Sequence, residues 1–165
     1  MKDRAHLVQK VIINKLGKKQ TVNVNPNKDN TALKRAKTLA IIKKYDSIYS
    51  RFDKDADTNP YALMSKIMLK TGIRIGNEES SKGYMSFHTK KFIQTYGLNT
   101  LEKRHIKVKG DKTTLDFIGK KGVHQVIEID DKRLSKQIKE QLKSKKAKDK
   151  LFGVSYYELG KYIKG

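Results

Sequence analysis

"RHIKVKGDKTTLDFIGKKGVHQVIEID", Arg104 to Asp130, alternates polar and apolar residues through three short runs that glycine-containing turns separate. A period of two puts the apolar side chains on one face of a strand, so the stretch predicts a three-stranded antiparallel meander. The "GKKG" turn, Gly119 to Gly122, joins its second and third strands. Glycines there supply the positive φ of a tight turn, and two lysines stand between them at the tip.

Helical patterns flank the meander. Downstream, "DDKRLSKQIKEQLKSKKAKDK" keeps one apolar stripe, Leu134, Ile138 and Leu142, and predicts a strongly basic helix over Asp131–Lys150. That helix is either a solvated face or a non-specific phosphate binder. "SYYELGKYIKG" begins another helix, with Ser155 as its cap and Glu158 completing a capping box. Upstream, Asn59 is a helix cap with Pro60 at the first helical position. The pairs Leu63/Ile67 and Met64/Met68 then predict a mostly buried helix. The polar "RFDKDADTN", Arg51 to Asn59, reads as a loop, and "TALKRAKTLAIIKKY" as a helix from Thr31 to Tyr45. The β-rich runs Val8–Asn14 and Gln20–Asn25 predict a basic hairpin ending at Pro26. The fold class is therefore α+β: an N-terminal β-hairpin and linker over residues 1–30, then a helical core carrying the three-stranded sheet over residues 31–165.

Charge narrows the partner. The 165 residues carry 38 Lys and Arg against 17 Asp and Glu, a formal net charge of +21, which self-repels unless a polyanion is at hand. Double-stranded DNA is the expected partner. A membrane is not, because neither a lipidation signal nor an apolar run of about 18 residues is present. With no cysteine and with His6, His88, His105 and His124 far apart, neither a disulfide framework nor a metal site is expected. No Walker-type Gly-rich Lys-Ser/Thr motif occurs, and no cofactor is expected.

"IRIGNEE" (Ile73–Glu79) sets an arginine between two isoleucines at the end of a buried element, a costly place for a charge without a partner. It is followed in order by "YGLNTLEKRHIKVKG" (Tyr96–Gly110), "DFIGKKG" (Asp116–Gly122) and "IEIDDKRL" (Ile127–Leu134). On these motifs the segment from about Thr38 to Gly165 resembles the catalytic domain of type IB DNA topoisomerases, in their poxvirus and bacterial branch. The resemblance implies nicking of one strand through a 3′-phosphotyrosyl link, swivelling and resealing, without ATP or a required metal. It implies that Arg74 binds the scissile phosphate. It further implies that Lys120, at a hairpin tip reaching the minor groove, is the general acid toward the leaving 5′-oxygen, with Lys121 as its nearest rival. A planar guanidinium donates to two non-bridging oxygens at once, and a lysine acid needs its pKa lowered toward neutrality by nearby cations and burial against DNA. Lys103, Arg104, His105 and His124 are the further DNA-binding candidates, with His105 equally readable as a satisfied structural histidine.

Two departures from the family pattern stand out. "SSKGYMSFHTKKFIQT", Ser80 to Thr95, is longer than expected, an added loop for DNA or a partner. The family's second phosphate-binding arginine, its histidine and its tyrosine nucleophile fall beyond the position matching Gly165, and Tyr156, Tyr157 and Tyr162 match helix positions before that arginine. The expectation is an incomplete portion of the enzyme, whose other half is a C-terminal continuation or a partner subunit. The alternative is a non-catalytic DNA-binding protein derived from such an enzyme, associated with a nucleoid or a virion. Tyrosine recombinases share the core and are a third reading. The excess of lysine over arginine suits an A+T-rich coding sequence, as in a phage, a virus or some bacteria. The expected location is the cytoplasm and nucleoid, or a virion or virus-infected cell.

Overall fold

The computed structural model describes residues 31–86 and 90–164 with their side chains, and the backbone of Val8–Ile13 and Lys19–Val24. These fall into two compact units, Met1–Tyr45 and Asp46–Gly165. In the first, β1 (Val8–Ile13) pairs antiparallel with β2 (Lys19–Val24), Val8 opposite Val24 and Ile13 opposite Lys19. The expected hairpin thus forms, while its turn and its end at Pro26 lie outside the described residues. Helix α1 follows over Thr31–Lys43 with Leu33, Leu39 and Ile42 exposed.

The expected loop from Arg51 to Asn59 is helical for most of its length. Helix α2 runs Tyr45–Asp55, because Tyr45, Ile48, Tyr49 and Phe52 fall at i, i+3, i+4 and i+7, a spacing the surrounding charges obscured. Helix α3 (Pro60–Thr71) starts as expected: the Asn59 side chain accepts from the Tyr61 and Ala62 N–H groups. Gly72, at φ +68°, ends it by donating to the Met68 carbonyl at 2.8 Å. Ala62, Leu63, Met64 and Ile67 are buried, and so is Lys66.

A short helix α4 (Glu78–Lys82) and two two-residue strands, β3 (Tyr84–Met85) and β4 (Phe92–Ile93), lead to the meander. Its strands β5 (Ile106–Lys109), β6 (Lys112–Gly119) and β7 (Val123–Asp130) pair antiparallel in sequence order. Thr113, Leu115 and Phe117 alternate inward along β6, and Ile129 joins them from β7. Leu115, Phe117 and Ile129 pack in one core with Leu63, Met64 and Ile67 of α3, with Leu98 and Leu101, and with Leu134 and Ile138 of α5 (Lys132–Leu142). Each fully buried Leu or Ile contributes about 1.5–3 kcal/mol, so this face holds the sheet far more firmly than its turns do. Helix α6 (Tyr156–Lys164) opens with the expected capping box: the Glu158 N–H donates to Ser155 Oγ, and Glu158 Oε2 accepts back from Ser155.

Helix α5 stops at Leu142, eight residues short of the expected Lys150. Beyond Leu142 the lysine run has no large apolar residue at the spacing that would continue the stripe, and the chain turns back instead. Lys103 and Arg104 donate their N–H groups to the Asp149 and Ala147 carbonyls, and Leu151 donates to Leu101. The Lys103 ammonium donates to the Leu142 and Lys145 carbonyls at 3.0 and 2.7 Å, a cation on the negative end of α5.

Candidate active site

Arg74 lies on the strap between α3 and α4, with Ile73 buried before it and the guanidinium exposed. The strap is held by main-chain contacts. Leu98 donates its N–H to the Arg74 carbonyl at 2.8 Å, and the buried Asn99 side chain accepts the Gly76 N–H at 2.7 Å. Gly76 and Gly97 sit back to back. A Cβ on Gly97 would fall onto the Gly76 backbone and within 2.7 Å of the Arg74 carbonyl; one on Gly76 would strike Thr100 Oγ1. That is why "IRIGNEE" and "YGLNT" occur as a pair: each glycine makes room for the other. Gly97, Asn99 and Thr100 stand within the Tyr96–Gly110 motif, but nothing local in the sequence signals their part in holding the strap.

This contact makes Gly97→Ala a test of positioning. Forcing a methyl group between two backbones should cost about 1–3 kcal/mol of stability. Displacing Arg74 by about an ångström should slow any strand cleavage by about 10²-fold. Urea unfolding together with single-turnover cleavage would check both, and a full-rate Gly97→Ala protein would show that the strap does not set the arginine.

The "GKKG" turn departs from the simple expectation for its glycines. Gly122 takes a positive φ of +73°, but Gly119 has φ −90°. Gly119 is instead buried where a Cβ would meet Gln125 Cγ at 3.0 Å. The second left-handed position belongs to Lys121, at φ +65°, a conformation that costs an L-residue about 1–2 kcal/mol. Lys120 and Lys121 are both exposed at the tip.

Arg74, Lys120 and Lys121 line one cleft of about 810 Å³, whose walls include Asn77, Ser80, Thr95, Tyr96, Gln125 and Ile127. The carboxylates nearest Arg74 in sequence are engaged elsewhere. Glu78 pairs with Lys150 at 2.5 Å and Glu79 with Lys82 at 2.8 Å. Among the described residues the Arg74 guanidinium makes no ion pair or side-chain hydrogen bond. The charge between two isoleucines is thus accommodated by facing solvent in a cleft rather than by an internal partner.

The other candidates do not line this cleft, although Arg104 and His105 touch its wall at Tyr96. Lys103 caps α5, as described. Arg104 donates to Glu102 Oε2 at 2.6 Å and to the Tyr96 hydroxyl at 2.9 Å. His105 is half-buried with its ring 4.3 Å from that of Tyr96, and its Nδ1 accepts the Glu102 N–H at 3.1 Å. His124 Nε2 lies 2.7 Å from Asp116 Oδ1 on the open face of the sheet, and this hydrogen bond holds the Asp116 carboxyl below its ordinary value. Among the described residues no three His, Cys, Asp or Glu side chains gather as a metal site would require, and no helix is long and apolar enough to cross a membrane.

Burial, reinforced by the neighbouring Arg104 charge, lowers the His105 pKa, with Glu102 and Asp116 opposing. The folded state therefore resists a proton that the unfolded chain takes up below about pH 6.5. Stability should fall as pH drops from about 6.5 toward the lower folded-state value. In His105→Asn, whose amide oxygen replaces Nδ1 as acceptor, the slope of urea midpoint against pH should flatten; an unchanged slope would place the titration elsewhere.

Residues 18–165 match the protein family described as eukaryotic DNA topoisomerase I, catalytic core. No curated protein matches the chain. With nine-tenths of its length inside that family's pattern, the chain belongs to the DNA topoisomerase I catalytic-core family.

Proposed function

We propose that this chain supplies the phosphate-binding and proton-donating part of a type IB topoisomerase site, in the poxvirus and bacterial branch. One observation carries the reading: Arg74 and Lys120, 46 residues apart, line the same cleft, and Arg74 has no competing acid there. In this reading Arg74 donates to the non-bridging oxygens of the scissile phosphate and stabilises the charge that builds on them. Lys120 gives a proton to the departing 5′-oxygen, and Lys121 adds positive charge at the same tip. The duplex lies across the open face of the sheet.

The tyrosine nucleophile comes from outside Met1–Gly165, from further sequence of the same protein or from a partner subunit. Positions of the tyrosines support this. Of the eight, only Tyr96 lines the cleft, and its hydroxyl already accepts from Arg104. Tyr49, Tyr61 and Tyr162 are hydrogen-bonded to Asp131, Glu158 and Asp55.

A suicide duplex, in which cleavage releases a short strand, tests the assignment. The 165-residue chain should bind it with an affinity that falls steeply with salt and leave no covalent adduct. The complete gene product should leave a 3′-phosphotyrosyl adduct, and Lys120→Ala should slow its formation far more than it weakens binding. An adduct on the 165-residue chain would overturn the placement of the nucleophile. No adduct from either protein would favour the alternative, a DNA-binding relative without catalysis.

A further inference from the structure

The β3–β4 hairpin is left unexplained by the cleft chemistry. Its four paired residues expose three large apolar side chains, Tyr84 at 43%, Met85 at 64% and Phe92 at 61%. The Phe92 ring is not loose: it lies against Gly83, where any Cβ would collide with three of its ring carbons. The hairpin's base is fixed as well. The Thr95 N–H donates to the Ser80 carbonyl at 3.0 Å, and the Tyr96 N–H donates to the Ile118 carbonyl at 2.7 Å, which ties the segment to β6. Ile93 lies beside the lysine turn, 3.9 Å from where a Cβ on Gly122 would be.

Charge identifies the occupant of this apolar surface. From Ser80 to Gln94 the sequence holds Lys82, Lys90 and Lys91 and not one Asp or Glu. Lys82 is paired with Glu79 at the foot of the hairpin, but the segment's own charges are all positive. On a chain of net charge +21 such an apolar surface disfavours a second copy of itself and favours a polyanion with flat apolar surfaces. Nucleic acid combines both: phosphates for the lysines, and bases and sugars for Tyr84, Met85 and Phe92.

We infer that the β3–β4 hairpin is a second DNA-contacting element, which lays Tyr84, Met85 and Phe92 against the sugar and base surface beside the phosphate held at Arg74. The inference rests on the functional reading above, because the hairpin abuts the Lys120–Lys121 turn. Its contribution is apolar and therefore differs in kind from that of the cleft cations.

The difference makes it testable on the 165-residue chain with a short fluorescein-labelled duplex. Tyr84→Ser with Met85→Ser, both at exposed positions, should weaken binding about tenfold or more while the slope of log affinity against log salt stays the same. Thermal unfolding of the variant should match the parent, which separates lost contacts from lost fold. Equal affinity of variant and parent would overturn the inference while leaving the cleft reading intact. Failure of the parent to bind the duplex would overturn both. A parent that dimerises through this face, with the variant monomeric by light scattering, would assign the surface to a second copy and overturn the DNA contact.

Discussion

On the proposed assignment, Arg74→Ala is expected to slow single-turnover cleavage by a protein that joins this site to its nucleophile about 10²–10³-fold, the usual effect of removing one preorganised donor from a developing oxyanion. Binding should suffer much less. On the proposed assignment Arg74 is one cation among several that meet the duplex, so its loss should reduce the salt slope by about one contact. Arg74→Lys should recover only part of the rate, since an ammonium cannot offer the two parallel N–H groups of a guanidinium. The controls follow from the ion pairs. Glu78→Gln and Glu79→Gln should leave cleavage within about twofold, because these carboxylates hold Lys150 and Lys82, both exposed pairs of small energy. Equal losses of binding and cleavage in Arg74→Ala would mean that the residue contacts DNA without acting on the transition state.

Much of the fold was legible because its signals are local. The alternation of Arg104–Asp130 marked the meander, and Asn59-Pro60 and Ser155/Glu158 marked two helix starts, since each cap is made by residues within three positions of one another. What was not legible depended on distant partners. Helix α2 was hidden because its charged residues looked like a loop, yet Asp53 serves α3 and α5. Helix α5 was over-extended because nothing local shows that residues beyond Leu142 turn back to bond with Leu101–Arg104. The same turn engages Lys103, which its place in the Tyr96–Gly110 motif had offered to DNA. At the cleft, the motif pointed to Arg74 and Lys120, but only the three-dimensional arrangement shows Gly76 against Gly97 and the acids drawn away to Lys82 and Lys150.

Asp53→Ala should produce the largest loss of stability, about 3–5 kcal/mol, against the roughly 5–15 kcal/mol that holds a typical domain. The reason is Lys66, whose side chain is 1% exposed in the middle of α3. Its ammonium donates to Asp53 Oδ1 at 2.5 Å and to Gln137 Oε1 at 2.8 Å, and lies 5.3 Å above the Tyr49 ring. Remove Asp53 and a buried cation keeps an amide oxygen, a ring face and the more distant attraction of Asp131, too little to offset its lost hydration. Arg133 also reaches Asp53, at 3.0 Å, but its side chain is 56% exposed and can turn to water or stay with Asp57. Arg133→Ala should therefore cost about 1 kcal/mol or less. Replacing both charges, Asp53→Ala with Lys66→Met, should recover most of what Asp53→Ala loses, since an apolar pair of similar volume tolerates burial that an orphaned cation does not. Urea unfolding of the two single variants and the double variant yields the coupling energy directly. Simple addition of the two losses would mean that water reaches Lys66 and that the pair does not hold α2, α3 and α5 together; strong coupling would locate the specificity of the helical core in this one buried charge.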